Sequence, residues 1–247
     1  PTPFTHLVIA QALLERGGLP GALATERAAF LFGHIAPDVQ SLSGQTRAAT
    51  HFFPVPLGDA PPAYRLLFER HPVLARPHTL PPAQAAFLAG YLAHLELDQL
   101  WIAEIFDPIF GERQTWATFA ERLYLHNALR AWEDARDLAL LPASAVAADL
   151  RRAEPVRWLP FVADPHLRAW RDLVADQLGP GASARTLEVF AARMRADPRA
   201  FAVLVNSPDE MQRRIFSRVS VEHLAGYRAE GAARCVELIA AYWEGRA

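Results

Sequence analysis

Hydrophobic positions recur along this chain at helical spacing almost throughout. Behind Thr2-Pro3, which offer a cap and a first-turn proline, Phe4, Leu7, Val8, Ala12 and Leu13 line one face of a first helix that Gly17-Gly18 ends. A second helix runs through residues 26–32 and stops near Gly33. Residues 33–62 carry eight glycines and prolines, from Gly33 to Pro62, and are expected to be mostly irregular. A short helix is expected over 63–70. A central helix over about 83–106 follows, ended by Pro108 and Gly111. Trp116, Phe119, Leu123, His126, Leu129 and Trp132 recur on a long helix from about Gln114 to Leu141. Residues 143–247 read as helices broken by Pro155, Pro160, Asp164-Pro165, Gly179-Pro180-Gly181 and Ser207-Pro208. In Ser207-Pro208-Asp209-Glu210 the cap, first-turn proline and third-position acid of a helix start stand together. No alternating strand, repeat or low-complexity tract occurs. The expected fold is an all-α multi-helix bundle: residues 1–142 form a metal-binding helical core, and additional C-terminal helices over 143–247 pack on the same bundle.

The central helix is the most informative stretch. From Phe87 to Ile102 it is apolar almost all the way round, the pattern of a buried helix. His94 and Asp98 nevertheless stand four residues apart, one turn along a single face. A buried carboxylate without a partner costs several kcal/mol or takes up a proton. A divalent metal would compensate Asp98 and explain the imidazole beside it; a His–Asp hydrogen bond is the simpler rival.

Composition narrows the setting. With 51% apolar and 21% charged residues the chain is of ordinary globular type. A net charge of −2 offers no polycation for long nucleic acid. All 25 basic residues are arginine, read first as a compositional bias. The single cysteine, Cys235, cannot form an internal disulfide and fits a reducing compartment. No apolar run reaches the ~18–20 residues of a membrane span, and residues 1–10 lack a basic n-region and a cleavage site. The expected location is the cytoplasm; a signal peptide already removed would leave no trace in the chain. Nothing in the sequence speaks to oligomeric state.

Four segments carry metal-type ligands: Thr5-His6, Ala36-Pro37-Asp38, Thr50-His51, and His94 with Asp98. Imidazole and carboxylate together suit zinc and related divalent transition metals. Singly, His6 also reads as a core histidine and Asp38 as a turn or cap residue.

In order, these segments resemble the zinc-dependent phospholipase C family and, more distantly, the fungal P1-type nucleases of the same helical fold. The similarity rests on the early Thr5-His6, the turn Gly33-His34-Ile35-Ala36-Pro37-Asp38, the segment Thr50-His51-Phe52, and the helix from Gly90 to Asp98, over roughly the first 110 residues. The resemblance implies an all-α bundle holding a zinc cluster. Asp38, His51, His94 and Asp98 would share one metal, and Asp98 would bridge to a second that His6 helps to hold. A third site departs from the family's pattern. Glu104 stands where a histidine is expected, and His126 is followed four residues later by Arg130 instead of a glutamate. On a straight helix Glu104 points roughly 120° away from Asp98. Glu133 near His126 is a conceivable substitute; cap, surface or salt-bridge roles also suit Glu104 and Glu133.

Among other residues, His34 is the best histidine outside these motifs for contacting substrate, Arg47 could meet an anionic phosphate or stand solvated in a loop, and Trp101 could wall the site. His71, His78, His166 and His223 read as surface or structural.

The resulting expectation is a hydrolase: a metal-dependent phosphoesterase in which Asp38 ligates metal and orients or deprotonates the attacking water. Its substrate would be a phospholipid, a soluble phosphodiester, a nucleotide or a small phosphomonoester. An HD-type phosphohydrolase is disfavoured, because no His-Asp dipeptide occurs in the chain. The contrasting class is a non-catalytic helical scaffold that keeps a metal for structure.

Overall fold

The computed structural model describes residues 1–112, 114, 118–179 and 186–247. Trp116 and the Pro180-Gly181 break lie outside the described residues. Within them the chain is all-α, with fourteen α-helices and no strand. The first seven are α1 (Pro3–Arg16), α2 (Gly21–Thr25), α3 (Arg27–Gly33), α4 (Gln40–Ser43), α5 (Arg47–His51), α6 (Ala63–Arg70) and α7 (Pro82–Trp101). Then follow α8 (Phe119–Leu140), α9 (Ala143–Arg152), α10 (Asp164–Gln177), α11 (Thr186–Met194), α12 (Pro198–Asn206), α13 (Pro208–Met211) and α14 (Val221–Trp243). No helix among the described residues is long and apolar enough to cross a membrane.

The boundaries follow local chemistry. Thr2 caps α1, its hydroxyl accepting from the Thr5 amide, and Gly17 ends it at φ 75°. Ser207 accepts from the Glu210 amide at the start of α13. Residues 33–62 are irregular over slightly more than half their length, as expected, with a 3₁₀ turn over Ala36–Val39 that leads into α4, and with α5 after it. Two expectations need correction. The long helix starts at Phe119 instead of Gln114, because Thr118 caps it by accepting from the Glu121 amide at 3.0 Å. The central α-helix ends at Trp101, and Ile102–Phe110 continues as a π-helical segment with Pro108 inside it.

Helix α7 is the axis of the core. From Gln84 to Trp101 only Glu96 and Gln99 are half-exposed. Phe87, Leu88, Tyr91, Leu92 and Leu97 are fully buried, each contributing roughly 1.5–3 kcal/mol of apolar burial. Helix α3 crosses α7 at backbone contact. A β-carbon on Gly33 would overlap the Phe87 carbonyl, and one on Gly90 the Phe30 carbonyl, so glycine at both positions is what lets the two helices approach. On another side α14 packs along α7, where Tyr227 donates to the Leu97 carbonyl at 3.0 Å and the Cys235 thiol to the Ala93 carbonyl at 3.6 Å. Helix α10 braces the 35–39 turn through a 2.7 Å bond from the Trp170 indole to the Ile35 carbonyl. Residues 143–247 thus pack directly on α3, α7 and the turn that carries Asp38.

Candidate metal centre

The site forms where α1, the 35–39 turn, α5 and α7 meet. His94 is fully buried on α7. Its Nδ1 donates to the His34 carbonyl at 2.7 Å, a bond that the close α3–α7 crossing makes possible. That bond fixes the tautomer and leaves Nε2 with its lone pair facing inward. His51, the last residue of α5, is equally buried. Thr50 donates its hydroxyl to the Arg47 carbonyl at 3.3 Å and its oxygen lies 3.0 Å from His51 Nδ1. The hydroxyl therefore accepts from Nδ1, and the neutral ring presents Nε2. The two Nε2 atoms lie 3.3 Å apart. Two lone pairs at that distance repel unless a proton or a cation stands between them.

Asp98 gathers the remaining donors. Its Oδ1 lies 3.3 Å from His6 Nε2 and 3.9 Å from the Pro1 nitrogen. Its Oδ2 lies 3.4 Å from His51 Nε2 and 3.8 Å from His94 Nε2. Asp38 Oδ1 is 3.6 Å from His51 Nε2. Two overlapping ligand groups result, His6 with His94 and Asp98, and Asp38 with His51 and His94, the ligand atoms of each lying within 4.8 Å of one another. The His6 ring stacks on His94 at 3.9 Å. Among the described residues the buried Nδ1 of His6 makes no hydrogen bond, and its Nε2 faces only Asp98, at 3.3 Å and without good hydrogen-bond geometry, an arrangement that costs free energy unless a further ligand is bound.

Protonation favours ligation. Burial lowers the pKa of His6 and lowers that of His94 well below the usual imidazole value, so both rings favour the neutral form. Burial alone would raise the Asp98 carboxyl; its interactions with His94 first, then with the Pro1 amine and His51, outweigh that and hold the acid well below its usual range. Asp38 behaves likewise, burial being overcome by His51 and His94. At His51 burial lowers the pKa, but Asp38 and Asp98 prevail and raise it. Metal ligation needs neutral imidazole and ionised carboxylate, a requirement that only the raised pKa of His51 opposes. The donors therefore fit a divalent transition metal in chemistry and in convergence.

Other candidate residues fall elsewhere. Arg47, on α5, neither contacts solvent alone nor stands apart from the cluster: its guanidinium donates to Asp98 and lies over Phe53, 4.5 Å from the ring centroid. His34 is fully buried against Phe30, at 4.8 Å between rings, and is not on the cavity wall; its carbonyl is what the site uses. His126 accepts from the Trp101 indole at 3.0 Å, which occupies its Nε2, and belongs to neither ligand group. Glu104 is also in neither group; it sits half-buried on the π-helical segment, and its charge is felt by Arg234. Glu133 pairs with Arg228 at 3.0 Å. Trp101 does wall the site. Of the remaining histidines, His71 stacks on Phe161 at 4.7 Å, His78 bonds the Trp243 carbonyl at 2.8 Å, and His166 and His223 are exposed.

One supporting network has no local sequence signal. Thr5 donates to Asp137 at 2.6 Å, Thr2 and Thr186 both donate to Asp134, and Arg228 bonds Asp137 at 2.6 Å. These contacts fasten the start of α1, and with it His6, to α8. The partners Thr5 and Asp137 are 132 residues apart in the sequence.

A cavity of about 550 Å³ opens beside the cluster, within the usual range for small-ligand sites. Asp38, Arg47 and Asp98 are among its polar lining residues, and Ile102, Phe106 and Phe190 among its apolar ones. Comparison with protein-family models, with curated proteins and with solved structures returned no match in any of the three.

Proposed function

We propose that this protein is a metal-dependent hydrolase of phosphate esters, using zinc or a related divalent ion. The observation that carries this reading is the meeting of His6, Asp38, His51, His94 and Asp98, from four separate segments, with imidazole nitrogens turned toward one another beside a ligand-sized cavity. The resemblance of the same segments to the zinc-dependent phospholipase C family supports it.

His6, Asp38, His51, His94 and Asp98 would hold the ion or ions. When bound, a divalent ion supplies Lewis-acid charge and lowers the pKa of water toward neutrality. The chain's own groups do the rest. Asp38 lies on the cavity wall with its side chain 22% exposed, ionised and able to orient a water by accepting a hydrogen bond from it. Asp98 is less exposed, at 11%, and serves to gather the imidazoles. The His34 carbonyl keeps His94 in the ligating tautomer. The Trp101 and Phe190 rings give the cavity an apolar part of its lining.

The Arg47–Asp98 pair favours a second reading, in which the cluster is closed by protein groups and any metal is structural. One experiment separates the two. Zinc per chain is measured by elemental analysis, and hydrolysis of bis(p-nitrophenyl) phosphate and p-nitrophenyl phosphate is then followed. The proposal expects bound zinc and turnover of at least one ester, both lost in His94→Ala and Asp98→Ala. Full zinc occupancy with no turnover of either ester would leave the structural reading.

A further inference from the structure

The cavity holds a second cationic anchor that the metal cluster does not use. Arg130, on α8, lines it together with Arg47. Its guanidinium is fixed from three directions: Nη2 donates to the Pro1 carbonyl at 2.7 Å, Nη1 to Asn127 Oδ1 at 3.4 Å, and the plane lies over Phe190 with Cζ 4.8 Å from the centroid. A guanidinium held this way is pre-organised for an anion, since little side-chain freedom remains to be lost on binding. Among the described residues, the charged side chains lining the cavity are Asp38, Asp98, Arg47 and Arg130, two of each sign. They cancel, so the charge of any bound dication is left for the ligand to balance. A phosphomonoester, carrying about −1.5 to −2 near neutrality, balances it better than a singly charged diester. Phe190 offers an apolar surface beside the same arginine, and Phe106 and Ile102 add to the apolar lining of the cavity.

We propose that the cavity takes a small phosphomonoester with an apolar organic group, Arg130 gripping the phosphate and Phe190 packing against the apolar part. This rests on the phosphoesterase reading for its metal, and names the substrate class within it. The probes are phenylphosphonate, which cannot be hydrolysed as an ester, its singly charged monomethyl ester, and methylphosphonate. Each is titrated calorimetrically into the full chain with and without zinc. Zinc-loaded protein should bind phenylphosphonate at least tenfold more tightly than the monomethyl ester. Arg130→Gln should lose about tenfold in phenylphosphonate affinity at unchanged zinc stoichiometry. Equal affinity for the two probes, or an Arg130→Gln affinity within twofold of wild type, overturns the proposal. If the chain takes up no zinc, the phosphoesterase reading fails, and the anchor is judged on the zinc-free protein by the same loss in Arg130→Gln. Should Arg130→Gln not fold, Phe190→Ala carries the test: it should weaken phenylphosphonate about fivefold and methylphosphonate less than twofold. Equal effects on both would overturn the assignment.

Discussion

His94 and His51 face one another through their Nε2 atoms at 3.3 Å, although they reach that point from different helices, α7 and α5. Each ring is oriented from behind, His94 by the His34 carbonyl and His51 by the Thr50 hydroxyl. The rings are thus aimed at a shared point, and Asp98 sits within 3.8 Å of both Nε2 atoms. Side chains aimed so tightly must be held by a rigid frame, and the frame is the α3–α7 crossing.

That crossing makes the first prediction. Gly90→Ala pushes a β-carbon into the Phe30 carbonyl and Gly33; it should cost about 3 kcal/mol and weaken zinc binding through the displaced His34 carbonyl. Gly226→Ala, on α14 where nothing lies within 4 Å of the added atom, should instead stabilise by about 0.5–1 kcal/mol. Urea unfolding of both variants checks the contrast.

Much of this frame is readable from the chain alone. The buried, all-round apolar α7 and the His94–Asp98 spacing place the site on the core's axis, and Thr2-Pro3, Gly17 and Ser207-Pro208 mark helix ends by local chemistry. Thr118-Phe119-Ala120-Glu121 carries an equally local cap signal, yet the aromatic spacing that includes Trp116 draws the expected helix start too early. The wide turns after Trp101 have no such signal, because Pro108 reads as an end in an α-helix. Arg47 and Asp98 are 51 residues apart, and Thr5 and Asp137 are 132 apart. Such pairings depend on tertiary packing alone.

The Arg47–Asp98 ion pair gives a second prediction. Asp98 serves both the guanidinium and the metal site, so removing the cation should favour the ion. Arg47→Gln should bind zinc about tenfold more tightly, roughly 1.4 kcal/mol, by loss of like-charge repulsion. Competition against a chromophoric chelator measures it. Unchanged or weaker zinc binding would show that Arg47 does not compete for Asp98.

Asp134 supplies a pH prediction. Burial, helped by Asp137, raises its pKa to about 6, partly offset by the Thr186 and Thr2 hydroxyls. A folded-state pKa above the unfolded value means the fold prefers the protonated acid. This contribution is complete below about pH 4 and is lost as pH rises through about 6, to the extent of ~3 kcal/mol. The uncharged amide in Asp134→Asn mimics the neutral acid, so the variant should gain on wild type by about that amount between pH 4 and pH 8. Denaturant unfolding at the two pH values, read as the difference between the proteins, tests it; a constant difference would contradict it.

The most direct test is anomalous scattering from crystals grown with zinc, collected on both sides of the zinc absorption edge. The account predicts a peak bounded by His51, His94, Asp38 and Asp98, with His6 Nε2 directed at that ion or at a neighbouring one. A map with no peak there, and with Arg47 still bonded to Asp98, would contradict it.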